Sequence, residues 1–192
     1  MTIYDLKPKF QALLRPIVKK LYEKGISPNQ VTIAALILSF IGGFFVLLAQ
    51  KNHTLLLIIP FIMFIRMALN AIDGILAKEH NLTSDKGAVL NELGDVLSDV
   101  LLYLPFIFIL NPFIVIAFII LSILSEFIGV LYWAVYNERR YNGPMGKSDR
   151  AFVIGFISLI VALFSNALFF SNIILSLALF LLLLTLYNRI KL

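Results

Sequence analysis

The stretch LLLIIPFIMFIRMALNAIDGILA, residues 55–77, decides how the chain is read. Its length and its apolar first half suit a helix that crosses a bilayer, because backbone groups in hydrocarbon must pair within their own segment. Arg66, Asn70 and Asp73 nevertheless follow one another at i, i+4 and i+7 on one face of that helix. Ionisable groups at membrane depth are costly unless paired, hydrated or bound to metal, so such a face points into a polar chamber inside a helix bundle.

The rest of the chain agrees with a lipid setting. Its 192 residues are 60% hydrophobic and only 14% charged, more apolar than one small core can bury. Six mainly apolar stretches, near residues 31–49, 55–77, 87–110, 113–136, 151–169 and 172–187, predict an all-α integral membrane protein with six transmembrane helices. Under that count 14 of the 16 basic residues fall on one side, with Lys51 alone opposite and Arg66 inside a span. The positive-inside rule then puts both termini in the cytoplasm and the protein in the inner membrane. The first apolar run is itself long enough to span, so the N-terminus is expected to be retained. Residues 1–27 read as an amphipathic juxtamembrane helix, with Leu6, Phe10, Leu13, Ile17 and Leu21 at helical spacing between lysines, divided or kinked at Pro16. A plain topogenic flank reads equally well. Residues 31–187 form the six-helix bundle, and the whole is one domain.

The net charge of +5 sits beside the spans rather than in a basic domain, which speaks for membrane topology and not for nucleic acid. With no cysteine and only His53 and His80, thiolate and histidine-rich metal sites are excluded. Any metal must be held by oxygen.

The third stretch supplies a matching face: Asn91, Asp95 and Asp99 recur at i, i+4 and i+8. The connection between Lys78 and Lys86 is short, so the two helices are antiparallel neighbours whose carboxylates meet near the cytosol. Converging hard oxygen ligands suit Mg²⁺ or Mn²⁺, and such ions commonly serve phosphate chemistry. Gly74, Ala77 and Gly87 beside the acids let a substrate approach the backbone, although small residues in membrane helices also serve plain packing. Arg66 is also placed to neutralise a carboxylate such as Glu126 on the fourth span.

The segment Asn70-Ala-Ile-Asp73-Gly74-Ile-Leu-Ala77-Lys78, eight residues, then Gly87-Ala-Val-Leu-Asn91-Glu-Leu-Gly-Asp95, resembles the signature of the CDP-alcohol phosphotransferase family, D-x-x-D-G-x-x-A-R-x8-G-x3-D-x3-D. The register holds throughout, with five identities and three close replacements. Pro28-Asn29-Gln30-Val31-Thr32 is likewise similar to the family's P-N-x-I/V-T segment before its first span. The resemblance implies transfer of a phosphatidyl or related phospho-group from a CDP-linked donor, typically CDP-diacylglycerol, to an alcohol or polyol with release of CMP, by a homodimer. It implies Asp73, Asp95 and positions 70 and 91 as metal ligands, and Asp95 as the general base. It places Asn29, Thr32, Gly74, Ala77, Lys78 and Gly87 around the nucleotide.

Three positions depart from the pattern: Asn70 and Asn91 stand where the family has acids, and Lys78 where it has arginine. Four formal negative charges become two, which favours one tight metal over a full pair. Asp99, one turn beyond Asp95, is a candidate to restore a charge as ligand or base. Downstream, Asn142-Gly-Pro-Met-Gly-Lys147-Ser148-Asp-Arg150 reads as a turn with donors for an anion. Family members often carry a Gly-Lys segment here near the acceptor pocket, so the resemblance implies Lys147, Ser148 and Arg150, joined by Arg139 and Arg140, at an acceptor or phosphate site, with loop anchoring as the plainer reading. The spacing is not that of a Walker loop. Two other functions remain open: a degenerate member that binds CDP-lipid as a partner or regulatory subunit, favoured by the two asparagines, and a small transporter, against which no paired repeat or broken helices are evident.

Overall fold

The computed structural model describes residues 3–138, 140, 142–164 and 166–191, with side chains from Phe10 onward. Every regular element among them is helical: α1 Ile3–Glu23, α2 Pro28–Leu48, α3 Ile59–Glu79, α4 Asp85–Tyr103, α5 Pro112–Tyr136, α6 Lys147–Leu163 and α7 Leu168–Ile190. Short 3-10 segments, His53–Ile58 and Leu104–Phe108, precede α3 and follow α4.

Local sequence sets the helix ends. Ser27 and Gln30 form a reciprocal capping box with Pro28 in the first turn of α2. Ser84 accepts from Gly87 N at the start of α4, and Asn111 accepts from Phe113 N and Ile114 N ahead of Pro112. Asn137, at φ 53°, closes α5 in the left-handed conformation that asparagine tolerates.

Four helical stretches are long and apolar enough to cross a membrane: Pro28–Leu48, His53–Glu79, Pro112–Tyr136 and Leu168–Ile190. The other two expected spans fall short by that measure. α4 carries Glu92, Asp95 and Asp99 along its length, and α6 has only 17 residues. The expected fifth span, residues 151–169, is corrected: α6 starts earlier and stops at Leu163, Phe164 is extended, and Phe169 already belongs to α7. Apolar flanks hid the turn near Asn166 from a reading based on hydropathy.

The division expected at Pro16 does not occur, since α1 is one helix. Losing one backbone hydrogen bond is offset by burial of Leu14 and Val18 against Val31, Ile72, Ile75 and Leu76. Its other face leaves Leu13 and Ile17 exposed, as an interfacial helix requires. Arg15 Nε meets Glu79 Oε1 at 2.9 Å, and the Tyr22 ring stacks on His80 at 3.7 Å, so α1 is fastened to the C-terminal end of α3.

α2 packs between α3 and α4. The approach to α4 is closest at Gly43, where an added Cβ would stand 2.1 Å from Leu101 O. Backbone cannot yield there as a side chain would. Gly43→Ala is therefore expected to lower thermal stability in detergent by at least about 1–3 kcal/mol. Gly74→Ala, with no atom within 4 Å of the new methyl, is expected to melt like the parent. Equal melting of the two variants would contradict this packing.

Candidate active site

The site is assembled where α3, α4 and the first turn of α2 meet. Asn70 Nδ2 donates to Asp95 Oδ1 at 3.2 Å, pairing the polar faces of α3 and α4. One turn back along α3 and one turn on along α4, Arg66 Nη2 donates to Asp99 Oδ1 at 2.5 Å, and to the Asp95 carbonyl at 3.3 Å. The two pairs share one antiparallel register. Asp73, a further turn towards the loop, lies within electrostatic reach of both Asp95 and Lys147.

α2 closes the third side. Thr32 Oγ1 donates to Asp73 Oδ2 at 2.8 Å, with Pro28 O as a longer alternative acceptor at 3.2 Å. The Thr32 methyl fits over Gly94, where an added Cβ would come within 3.1 Å, and Asn29 Oδ1 would stand 3.0 Å from a Cβ at Gly87. The glycines of α4 thus let the Asn29–Thr32 turn seat against it. Space over Gly74 is open, Ala77 is half-buried beside it, and Lys78 is exposed at the end of α3. Asn91 is half-buried one turn before Asp95.

The fourth contributor is the loop lysine expected near phosphate, but its contact with Asp95 was not anticipated. Lys147 Nζ forms an ion pair with Asp95 Oδ1, the same oxygen that Asn70 holds. The chain before it is fixed: Gly143, at φ 138°, passes against Thr185, Met145 N donates to Thr185 Oγ1 at 2.9 Å, and Gly146 N donates to Asp149 Oδ2 at 2.9 Å. Ser148 is exposed beside this turn, and Arg139 lies outside the described residues.

Three expectations are corrected by a buried ion-pair network behind the site. Asp99 is not open as a ligand or base: Arg66 holds its Oδ1, and Arg150 holds its Oδ2 through Nε at 3.3 Å and Nη2 at 3.0 Å. Arg150 is not an open loop cation, because it is fully buried and also donates to Glu126 Oε1 at 2.8 Å. Arg66 therefore neutralises Asp99, while Glu126 belongs to Arg150. A narrow crevice lined by Val96, Asp99, Tyr103 and Glu126 adjoins the network but has no room for a ligand.

Among the described residues no three His, Cys, Asp or Glu side chains gather in a metal-binding group. The oxygen donors at the site are two carboxylates, Asp73 and Asp95, and the carboxamides Asn70 and Asn91. Hard oxygens of this kind fit Mg²⁺ or Mn²⁺, with charge enough to balance one such ion.

Comparison with known proteins agrees with this geometry. A sequence model for CDP-alcohol phosphatidyltransferase matches residues 25–185. "Inner membrane protein YnbA" of Escherichia coli (strain K12) is 46% identical over 193 residues, covering 100% of this chain and 96% of that protein. An "Uncharacterized protein" of Aquifex aeolicus (strain VF5) is 37% identical over 97 residues, covering 50% of this chain and 46% of the relative. Phosphatidylinositol phosphate synthase PgsA1 of Mycobacterium tuberculosis shares the fold at 18% identity over 91% of this chain. Its manganese and citrate complex gives a TM-score of 0.76 with 85% of that chain covered, and its CDP-DAG complex 0.74 with 89% covered. The motif register from Asn70 to Asp95, the family model over residues 25–185 and the 46% identical relative lead to one assignment: the chain belongs to the CDP-alcohol phosphatidyltransferase family.

Proposed function

We propose that the protein transfers a phosphatidyl or closely related phospho-group from a CDP-linked donor, CDP-diacylglycerol first among them, to an alcohol or polyol, releasing CMP. The observation that carries this reading is the placement of Asp73 on α3 and Asp95 on antiparallel α4 within electrostatic reach of one another, beside open space at Gly74 and with Thr32 fastened to Asp73.

In the proposed reaction the acceptor hydroxyl attacks the phosphatidyl phosphorus. A new P–O bond forms, the bond to the CMP oxygen breaks, and CMP leaves with that electron pair. Asp95 takes the hydroxyl proton and later yields it to solvent. Asn70 and Lys147 both hold Asp95 Oδ1, so the proton is assigned to Oδ2. Asp73, with Asn70, Asn91 and Asp95, would hold Mg²⁺ or Mn²⁺. A divalent cation, when bound, neutralises the diphosphate and the charge growing on CMP. Asn29, Thr32, Gly74, Ala77, Lys78 and Gly87 receive the nucleotide, and Lys147 and Ser148 face the anionic groups. Arg150 supports that side from beneath through Asp99 and Glu126.

The topology proposed is six spans, with α4 and α6 crossing inside the bundle, both termini and the site at the cytoplasmic face of the inner membrane, and assembly as a homodimer. The name of the Escherichia coli relative supports the membrane assignment. The test is incubation of detergent-purified protein with CDP-diacylglycerol, Mn²⁺ and a panel of alcohols and phosphorylated polyols. CMP and a new phospholipid are expected. Nucleotide binding without CMP would instead establish the partner or regulatory role that the two asparagines favour.

A further inference from the structure

Lys147 stands where a loop cation has no need to be. It begins α6, the two residues before it are fixed by the Met145–Thr185 and Gly146–Asp149 hydrogen bonds, and its side chain is only 30% exposed. Its ammonium group reaches across from α6 to Asp95 on α4. A lysine presented so firmly to an acid is a built contact, unlike an exposed pair whose two long side chains must be ordered for little gain.

The neighbours give the contact a meaning. Asn70 offers its NH₂ group to Asp95 Oδ1, since a carboxylate only accepts, so its carbonyl oxygen is turned from that atom. Asp99, one turn further along α4, is bound on both oxygens by arginine. Of the two carboxylates proposed to hold metal, Asp73 and Asp95, the second already carries the Lys147 ammonium, so the pair has charge for one dication at most. A second dication at Asp95 would depend on neutral carboxamides for its remaining protein ligands and would meet the Lys147 ammonium as a like charge.

We infer that Lys147 is a catalytic residue whose ammonium group takes the place of a second divalent cation, resting on Asp95 and engaging the donor diphosphate during transfer. This rests on the transferase reading above. It accounts for three features together: the neutral residues at positions 70 and 91, the buried pairing of Asp99, and the fixed turn ahead of α6. A single dication and one lysine then share the anionic charge of the diphosphate and of the departing CMP.

The test compares the parent, Lys147→Gln, Lys147→Met and the triple variant Asn70→Asp, Asn91→Asp, Lys147→Gln, in detergent. Readouts are Mn²⁺ stoichiometry by calorimetry and electron paramagnetic resonance, CDP-diacylglycerol affinity with Mn²⁺ present, and CMP release. The parent is expected to bind one Mn²⁺ per chain. Both single variants should still bind one, hold CDP-diacylglycerol about 10- to 100-fold more weakly, and release CMP about 10²–10³-fold more slowly. The triple variant should bind two Mn²⁺ per chain. Two tight Mn²⁺ ions in the parent, or unchanged donor affinity in both folded single variants, overturns the proposal. A parent that binds one Mn²⁺, loses donor affinity with Lys147 and yet releases no CMP sinks the transferase reading while supporting the charge role of Lys147.

Discussion

Asp95→Asn is expected to lower CMP release by about 10³-fold or more, while leaving a folded protein that melts near the parent temperature. General-base removal alone is worth about 10²–10⁴-fold, and here the same change takes away the proposed metal ligand and the resting partner of Lys147. The amide keeps the shape of the side chain. Asn70 still has a carbonyl to meet at position 95, so packing between α3 and α4 survives. Measuring CMP under saturating Mn²⁺ separates the two losses: excess metal restores what is due to weak binding and cannot restore a missing proton acceptor. Activity within tenfold of the parent at saturating metal would remove Asp95 from the role of base.

Asp99→Ala is expected to have the largest effect on stability, about 3–5 kcal/mol. Its carboxylate lies between Arg66 and Arg150, both buried, and the change leaves Arg150 with Glu126 alone and Arg66 with no ion-pair partner among the described residues. Arg66 Nε and Arg150 Nη1 already lack a hydrogen-bond partner, so the network has no spare acceptor to offer. The measurement is thermal unfolding in detergent, with Asp99→Ala compared against Asp99→Ala plus Arg66→Met. Removing the stranded cation together with its partner should recover a large part of the loss. If both variants melt at the parent temperature, the four-residue network does not hold the helices together.

The membrane bundle was legible because its signals are local. Apolar length and the register from Asn70 to Asp95 lie within single helices or one short connection. The Arg66–Asp99 pair was also within reach of the sequence: once Asn70 faces Asp95 across antiparallel helices, the residues one turn deeper on each must face one another. Reading Asp99 by its helical face alone concealed this. The Lys147–Asp95 contact gave no such signal, because it depends on how α6 is laid against α3. Arg150 deceived for the opposite reason. Sharing a loop motif with Lys147, it looked solvent-facing, yet three residues along α6 keep nearly the same face and set the side chain about 4.5 Å deeper, where it meets Asp99 and Glu126 beneath the site.

The knot beneath the site draws one residue from each of four helices, Arg66 from α3, Asp99 from α4, Glu126 from α5 and Arg150 from α6. Two are cations and two are anions, so the layer is electrically silent only when it is complete. Any three of them leave one charge over. Arg66 and Asp99 cancel across α3 and α4, so Arg150 is the cation that offsets Glu126, and the layer reaches neutrality only once α6 is in place.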